Sequence, residues 1–366
     1  MAAERIHIDQ FLELAKHYPV IDVRSPGEYD HAHIPGAHSM PLFTDEERKI
    51  VGTTYKQQSR EQAIKIGLDF FGPKMRKMVE EAESLVKSRE SGVNSQISDF
   101  KLPNKDSRLI LVFCWRGGMR SAAVSWLLDM YGFKVYTLTG GYKKFRNHTL
   151  DTFKLPFQFK ILGGYTGSGK TETLKHLEKA GERVIDLEDL AKHKGSAFGN
   201  IGLAKQPTQE MFENLLGCEL RAHCLESKLW LEDESQRIGL VNIPNEIWAN
   251  MRQSPIHFLD IPFDERLQHL VEEYGSLDQQ QMIDAIGRIK DKLGGLNAKN
   301  AIQLLKDGNT AESFRILLKY YDKHYFKGLH NREGLNSLLH TVECKTVTPE
   351  NANRLIAETQ YQHEKP

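Results

Sequence analysis

Cysteine is scarce in this chain. The four present, Cys114, Cys218, Cys224 and Cys344, stand apart, without the spacing of a disulfide framework or the short pairs of a zinc site. A disulfide scaffold and a structural zinc are thereby disfavoured, and a reducing compartment is expected. Net charge is lacking too. Because 49 Lys+Arg balance 49 Asp+Glu, no global field draws in nucleic acid or an anionic membrane, and any RNA contact must come from local basic patches. No apolar run approaches the roughly eighteen residues that a membrane span requires. The opening MAAERIHIDQFLEL has no basic stretch leading into an apolar core. A soluble, cytoplasmic protein without membrane attachment is the expectation, and no internal repeat is present.

What is there suits two domains, since 366 residues exceed one ordinary core. Short β-branched runs alternate with helical patterns, the pattern of an α/β chain with mainly parallel sheets. One series holds Val20 to Ser25, Arg108 to Cys114 and Lys134 to Gly141, with a helix from about Ser121 to Met130 between the last two. A second opens at FQFKILGGYTGSGKTETLKHLEKAG, Phe157 to Gly181, as strand, glycine turn and helix. The boundary falls near Asp151 to Pro156. The polar, turn-rich Ser91 to Ser107 reads as an exposed loop inside the first domain.

The most specific motif is the run from Gly164 to Thr171, GYTGSGKT, which fills G-x-x-x-x-G-K-[ST] and has a strand before it and a helix after. Such a loop turns backbone N–H groups inward and adds the positive end of a helix, so it cradles phosphate. Gly164, Thr166, Gly167, Ser168, Gly169, Lys170 and Thr171 form the expected cradle. Lys170 supplies a mobile charge, and Thr171 is the expected ligand of a Mg²⁺ ion. Two later strand-like runs end in acids, with Asp186 and Glu188 after one and Asp233 and Glu234 after the other, and these are candidates to stand near that ion. A third run is followed by Arg266 on a helix.

Cys114 lies in FCWRGGMRS, where a strand delivers it to a glycine turn at a helix start. A free thiol titrates near ~8.5, and a helix N-terminus with Arg116 or Arg120 nearby favours the thiolate, so a nucleophile is the natural reading. The bland reading is a small apolar residue ending a core strand. That reading is preferred for Cys218 and Cys224, which lie in a helical stretch, and Cys344 has no supporting context. The spacing from Cys114 to Arg120 also matches cysteine-dependent phosphatases, although Phe113 stands where a histidine commonly precedes such a nucleophile.

The segment VIDVRSPGEYDHAHIPGAHSMPL resembles the one by which rhodanese-like sulfurtransferases are recognised. Over almost its whole length the chain resembles the tRNA 2-selenouridine synthases, through VGTTYKQQ, CWRGGMRS, GGYKKFR, GGYTGSGKT, DLEDLAKHKGSAFG, FENLL and LWLEDESQRIG in order. The C-terminal part, including RIKDKLGGLNAKN, matches less distinctly. The resemblance implies a rhodanese-like selenium- or sulfur-carrying domain over residues 1–150, a P-loop diphosphate-binding domain over 157–345 and a C-terminal tail over 346–366. It implies an enzyme that converts wobble 2-thiouridine of tRNA to 2-selenouridine through an S-geranyl intermediate, with geranyl diphosphate and selenophosphate as co-substrates. In that picture Lys170 and Mg²⁺ stabilise the leaving diphosphate. Cys114 takes up selenium while Arg116 and Arg120 hold the selenophosphate anion. The enzyme that produces selenophosphate is a further implied partner.

Local basic clusters that suit tRNA are Lys143, Lys144 and Arg146, then Lys192, His193 and Lys194, then Arg288, Lys290, Lys292 and Lys299. The second is the favoured one, because it follows a strand end rather than a helix face. Two other readings stay open on the residues alone. One is a P-loop kinase fused to a rhodanese-like sulfurtransferase or phosphatase, and the other a non-catalytic nucleotide sensor.

Overall fold

Runs rich in leucine, isoleucine and valine become the strands of two parallel sheets. The computed structural model describes residues 3–92, 108–223, 225–275 and 277–361. The chain divides into two units, Met1–Asp151 and Thr152–Pro366. Cys224 and nearly all of the Ser91 to Ser107 segment lie outside the described residues.

The first unit runs β1 (Glu4–Ile6), α1 (Ile8–Ala15), β2 (Val20–Asp22), α2 (Pro26–His31), β3 (His38–Ser39), α3 (Asp45–Gln57), α4 (Arg60–Phe71), α5 (Met75–Gly92), β4 (Leu109–Phe113), α6 (Met119–Tyr131), β5 (Lys134–Leu138) and α7 (Gly141–Thr152). Its sheet has the order β1-β5-β4-β2-β3 with every pairing parallel. All five residues of β4 are buried, as a central parallel strand covered on both faces requires. Ile110 and Val112 join Val124, Leu127 and Leu128 of α6 in one core, so the helix after Cys114 is fixed by packing. Each such buried side chain contributes roughly 1.5–3 kcal/mol. Helix starts follow local chemistry: Thr44 and Glu47 form a capping box on α3, and Ser59 caps α4. The third predicted strand stops at Leu138 rather than Gly141, because Gly140 and Gly141 have φ of 81° and 58° and turn the chain into α7.

The second unit runs β6 (Gln158–Gly164), α8 (Lys170–Lys179), β7 (Arg183–Ile185), α9 (Leu187–Ala191), α10 (Gln209–Ala222), β8 (Lys228–Glu232), β9 (Arg237–Ile238), β10 (Val241–Asn242), α11 (Asn245–Gln253), β11 (Ile256–Asp260) and α12 (Phe263–Tyr274). It continues through α13 (Gln279–Arg288), α14 (Lys290–Leu293), α15 (Gly295–Lys306), α16 (Thr310–His330), α17 (Leu335–Leu338), β12 (Leu339–Glu343) and α18 (Asn351–Tyr361). The order β12-β11-β6-β8-β7 is wholly parallel and places β6, which leads into the glycine loop, at the centre. Helices α12 to α16 intervene between β11 and β12 and share their own apolar cluster, including Leu267, Ile286, Leu305, Phe314 and Leu318. The segment expected as a C-terminal tail carries α18. Its Leu355 and Ala352 pack with Leu174 and Leu177 of α8, so this apolar spacing belongs to the core.

Candidate active site

In the first unit Cys114 follows β4 directly and is only 3% exposed. Its Sγ accepts the Gly118 backbone N–H at 3.3 Å and lies 3.3 Å from Ser121 Oγ. Ser121 stands in the first turn of α6 and donates to the Gly118 carbonyl at 3.1 Å. A backbone donor, a hydroxyl and the positive end of a helix thus converge on the sulfur. The loop is held from behind by α7. Its first turn has spare N–H groups, and Tyr142 and Lys143 donate theirs to the carbonyls of Cys114 and Trp115 at 2.9 and 3.0 Å. Gly141 makes this approach feasible: a Cβ there would sit 2.2 Å from the Cys114 carbonyl oxygen.

The two arginines expected beside Cys114 differ in situation. Arg116 is exposed on the loop. Arg120 donates to Glu28 at 2.7 Å, and Glu28 also accepts Arg48 Nε at 2.8 Å. Burial alone would raise the Glu28 carboxyl, but the bond and charge of Arg120, with Arg48, outweigh it and hold it below its ordinary value. Asp22 and Arg24 form a buried pair at 2.6 Å, and the Arg24 guanidinium lies 3.9 Å from the Tyr142 ring centre. They brace the strand ends under the loop.

In the second unit the glycine loop spans β6 to α8. Gly167 has φ of 80°, and a Cβ there would meet the Arg266 carbonyl at 2.8 Å. Arg266 is buried; it donates to the Thr166 carbonyl at 3.0 Å and to both oxygens of Asp322 on α16 at 2.9 and 2.8 Å. Tyr325, also on α16, accepts the Gly164 N–H at 3.2 Å and donates to Asp233 at 2.7 Å. The loop is therefore tied at two points to α16.

Lys170 Nζ donates to the Gly164 carbonyl at 3.0 Å and lies 3.4 Å from Glu232. Glu188, Glu232 and Glu234 each bring an oxygen within 4.8 Å of the others. Burial, then the charges of Glu232 and Glu234, push the Glu188 carboxyl far up. Burial and Glu232 raise Glu234 to about 8. Burial disfavours the charge on Lys170, yet Glu232, Glu234 and Glu188 together outweigh it and hold its pKa above the ordinary lysine value. Asp233 does not face this group. Its carboxylate is taken by Arg332 at 2.8 Å and by Tyr325. Alternation at the strand end explains the difference: Glu232 and Glu234 fall on one side and Asp233 on the other. Asp186 caps α9, accepting the Asp189 N–H at 2.8 Å, and is not one of the three.

A cavity of about 740 Å³ opens over the glycine loop. Thr166 to Thr171, Glu188, Glu232 and Glu234 line it, and so do Leu270, Phe314, Leu317, Leu318, Tyr320 and Tyr321. Polar phosphate donors and an apolar, aromatic wall share one space.

Residues 157–347 match the family described as the tRNA 2-selenouridine synthase AAA domain, and residues 7–148 match the Rhodanese-like domain. A tRNA 2-selenouridine synthase of Hydrogenovibrio crunogenus is 36% identical over 343 residues, 85% of this chain and 89% of that protein. One from Aeromonas salmonicida is 32% identical over 86% of this chain and 88% of its own. The chain belongs to the tRNA 2-selenouridine synthases.

As a tRNA 2-selenouridine synthase it is an enzyme, and its α/β architecture is the one expected. The basic clusters of this synthase fare differently from one another. Lys143 and Lys144 are exposed on α7, directly after the glycine pair that braces Cys114, and Arg146 is half-buried on the same helix. Lys192 is paired with Asp189 at 2.7 Å. Lys194 pairs with Glu273 and lies 5.1 Å from the Tyr274 ring centre; with Gly195 and Ser196 it lines the cavity. His193 is partly buried, and burial, then Arg288, lower its pKa. Arg288 donates to the Ala197 carbonyl at 2.8 Å, which fastens this loop, whereas Lys290, Lys292 and Lys299 are exposed. The DLEDLAKHKGSAFG stretch thus borders the phosphate cavity. Three participants were not singled out in the sequence: Glu232, Ser121 and the α16 wall. The period-two spacing from Glu232 to Glu234 was a usable signal for the first.

Proposed function

We propose that this enzyme converts 2-thiouridine in tRNA to 2-selenouridine in two steps, one in each unit. The observation that carries the reading is the cavity in which a phosphate loop faces an apolar wall on α16, a pairing suited to an isoprenoid diphosphate. The loop N–H groups and Lys170 bind the diphosphate of geranyl diphosphate, and Leu317, Leu318 and Tyr320 contact its hydrocarbon chain. The thiouridine sulfur attacks the first prenyl carbon, a C–S bond forms, and the C–O bond to diphosphate breaks with its electron pair. Charge builds on the leaving oxygens, where Lys170 is placed to stabilise it.

The three glutamates and Thr171 fit a Mg²⁺ ion, since they are hard oxygen donors and Glu232 keeps one buried oxygen without a partner. When bound, that ion would supply charge neutralisation to the diphosphate. Alkylated sulfur leaves far more readily than a thiocarbonyl sulfur. Selenophosphate, held in the Cys114 loop with Arg116 and Arg120 as anion contacts, then attacks the base carbon through selenium; geranyl thiolate leaves and takes up a proton, and water cleaves the Se–P bond to release phosphate and the selenouridine. Lys143, Lys144 and Arg146 contact the tRNA backbone, and such contacts weaken with salt. Proximity to the selenophosphate-producing enzyme in the cytoplasm completes the reading.

The test is mass spectrometry of tRNA nucleosides after incubation with both donors. Lys170→Ala leaves thiouridine unmodified, whereas Cys114→Ser accumulates geranylated thiouridine without selenium. Loss of geranylation in both variants would overturn the division between the two units.

A further inference from the structure

The cysteine loop carries a large aromatic side chain that its own fold does not need to bury. Trp115, next to Cys114, is 38% exposed, although its neighbours Phe113 and Cys114 are almost completely buried. The indole rests against Tyr142 at 5.6 Å between ring centres, and Tyr142 in turn stacks against Arg24. One side of the ring system is therefore backed by a rigid column, with a buried ion pair at its base. The backbone is fixed as well, because the Trp115 carbonyl accepts the Lys143 N–H at 3.0 Å. That bond places the Lys143–Lys144 pair beside the tryptophan, and Arg116 follows it in the loop; all three are exposed. Leaving a tryptophan this open next to a reactive sulfur costs apolar burial. A flat aromatic surface flanked by cations is what an unstacked nucleobase and its phosphates bind.

We infer that Trp115 is the platform on which the modified uridine stacks while selenium is delivered at Cys114, with Lys143 and Lys144 holding the flanking phosphates. This rests on the reading of tRNA as substrate. The indole replaces the stacking partners that the base loses when it leaves the anticodon loop. Charge complementarity selects RNA over an apolar protein partner, since a hydrophobic docking face would not be edged by three exposed cations. Trp115 is accordingly a positioning residue for the base. It takes no part in bond making.

The experiment uses the full chain and an anticodon stem-loop carrying S-geranyl-2-thiouridine, with selenophosphate as donor. Stacking of one base predicts that Trp115→Ala raises KM for the stem-loop roughly tenfold to a hundredfold with little change in kcat. Trp115→Phe, which keeps a ring, should recover most of this. Trp126→Ala, at a tryptophan on α6 that is more exposed still, at 55%, should leave KM unchanged. Protection of Cys114 from iodoacetamide by selenophosphate without RNA, read by intact mass, separates a platform from a loop prop. If Trp115→Ala loses this protection in parallel, or if its KM equals that of the wild type, the platform is refuted. A wild-type enzyme inert towards the stem-loop would instead overturn the proposed S-geranyl route.

Discussion

Replacing Gly141 by alanine is the sharpest test of how the cysteine loop is built. At φ of 58° an alanine is strained by about 1–2 kcal/mol. The added Cβ would also stand 2.2 Å from the Cys114 oxygen, 2.6 Å from the Gly117 nitrogen and 2.9 Å from the Arg116 nitrogen. All three are backbone atoms, so no side chain can swing aside, and forcing the loop outward costs roughly 1–3 kcal/mol more. The sum is about 2–5 kcal/mol, which for a unit of this size lowers its melting transition by roughly 5–15 °C. Gly36→Ala is the matched control. Gly36 has φ of 78° and nothing within 4 Å of where a Cβ would stand, so that variant carries the conformational strain alone. Calorimetry should show the larger shift for Gly141→Ala, and on the proposed two-step reading tRNA treated with this variant should accumulate geranylated product, since the Cys114 loop is displaced. Equal melting and equal selenium incorporation for the two variants would refute the account of a backbone-clamped loop.

Two further outcomes follow from the second unit. Arg332→Leu strands the buried Asp233 carboxylate beside Tyr325 and should cost about 3–5 kcal/mol in denaturant unfolding, and Asp233→Asn, which leaves the buried Arg332 guanidinium without a counter-charge, should cost a similar amount. Glu234 gives a pH signature. Its folded pKa is raised from 4.5 to about 8 by burial and by Glu232, so across this interval the folded state keeps a proton that the unfolded chain has lost. Stability therefore falls as pH rises through the window, by up to about 1.4 kcal/mol per unit and less because Lys170 shares the charge. Glu234→Gln should flatten the decline between pH 6 and pH 8, and Mg²⁺ should restore wild-type stability at the upper end; denaturant midpoints measured with and without the ion decide both.

The phosphate loop was legible because its chemistry is local: glycines, lysine and threonine act within eight consecutive residues between a strand and a helix. Cys114 was legible for the same reason, at a strand end facing a helix start. The acidic group was half legible. Strand ends point to Asp186, Glu188, Asp233 and Glu234 alike, and only the fold turns Asp186 into the α9 cap, sends Asp233 towards Arg332 and adds Glu232 to the group. The cluster from Lys192 to Lys194 is favoured in the sequence as a tRNA contact; Lys192 pairs locally with Asp189, whereas Glu273 reaches Lys194 and Arg288 fastens the loop only because distant helices fold back onto it.

Two parallel α/β units, the glycine loop and the cysteine turn can be read from residues adjacent in the chain, whose backbone preferences and spacing suffice. What surrounds them comes from long-range packing. The wall of α16 reaches the phosphate loop across about 150 residues of chain through Arg266–Asp322 and Tyr325–Gly164, and α7 clamps the Cys114 loop through the glycine pair. Contacts of that range are fixed by how helices and strands pack, and a periodic apolar face shows that an element packs without showing which partner it meets.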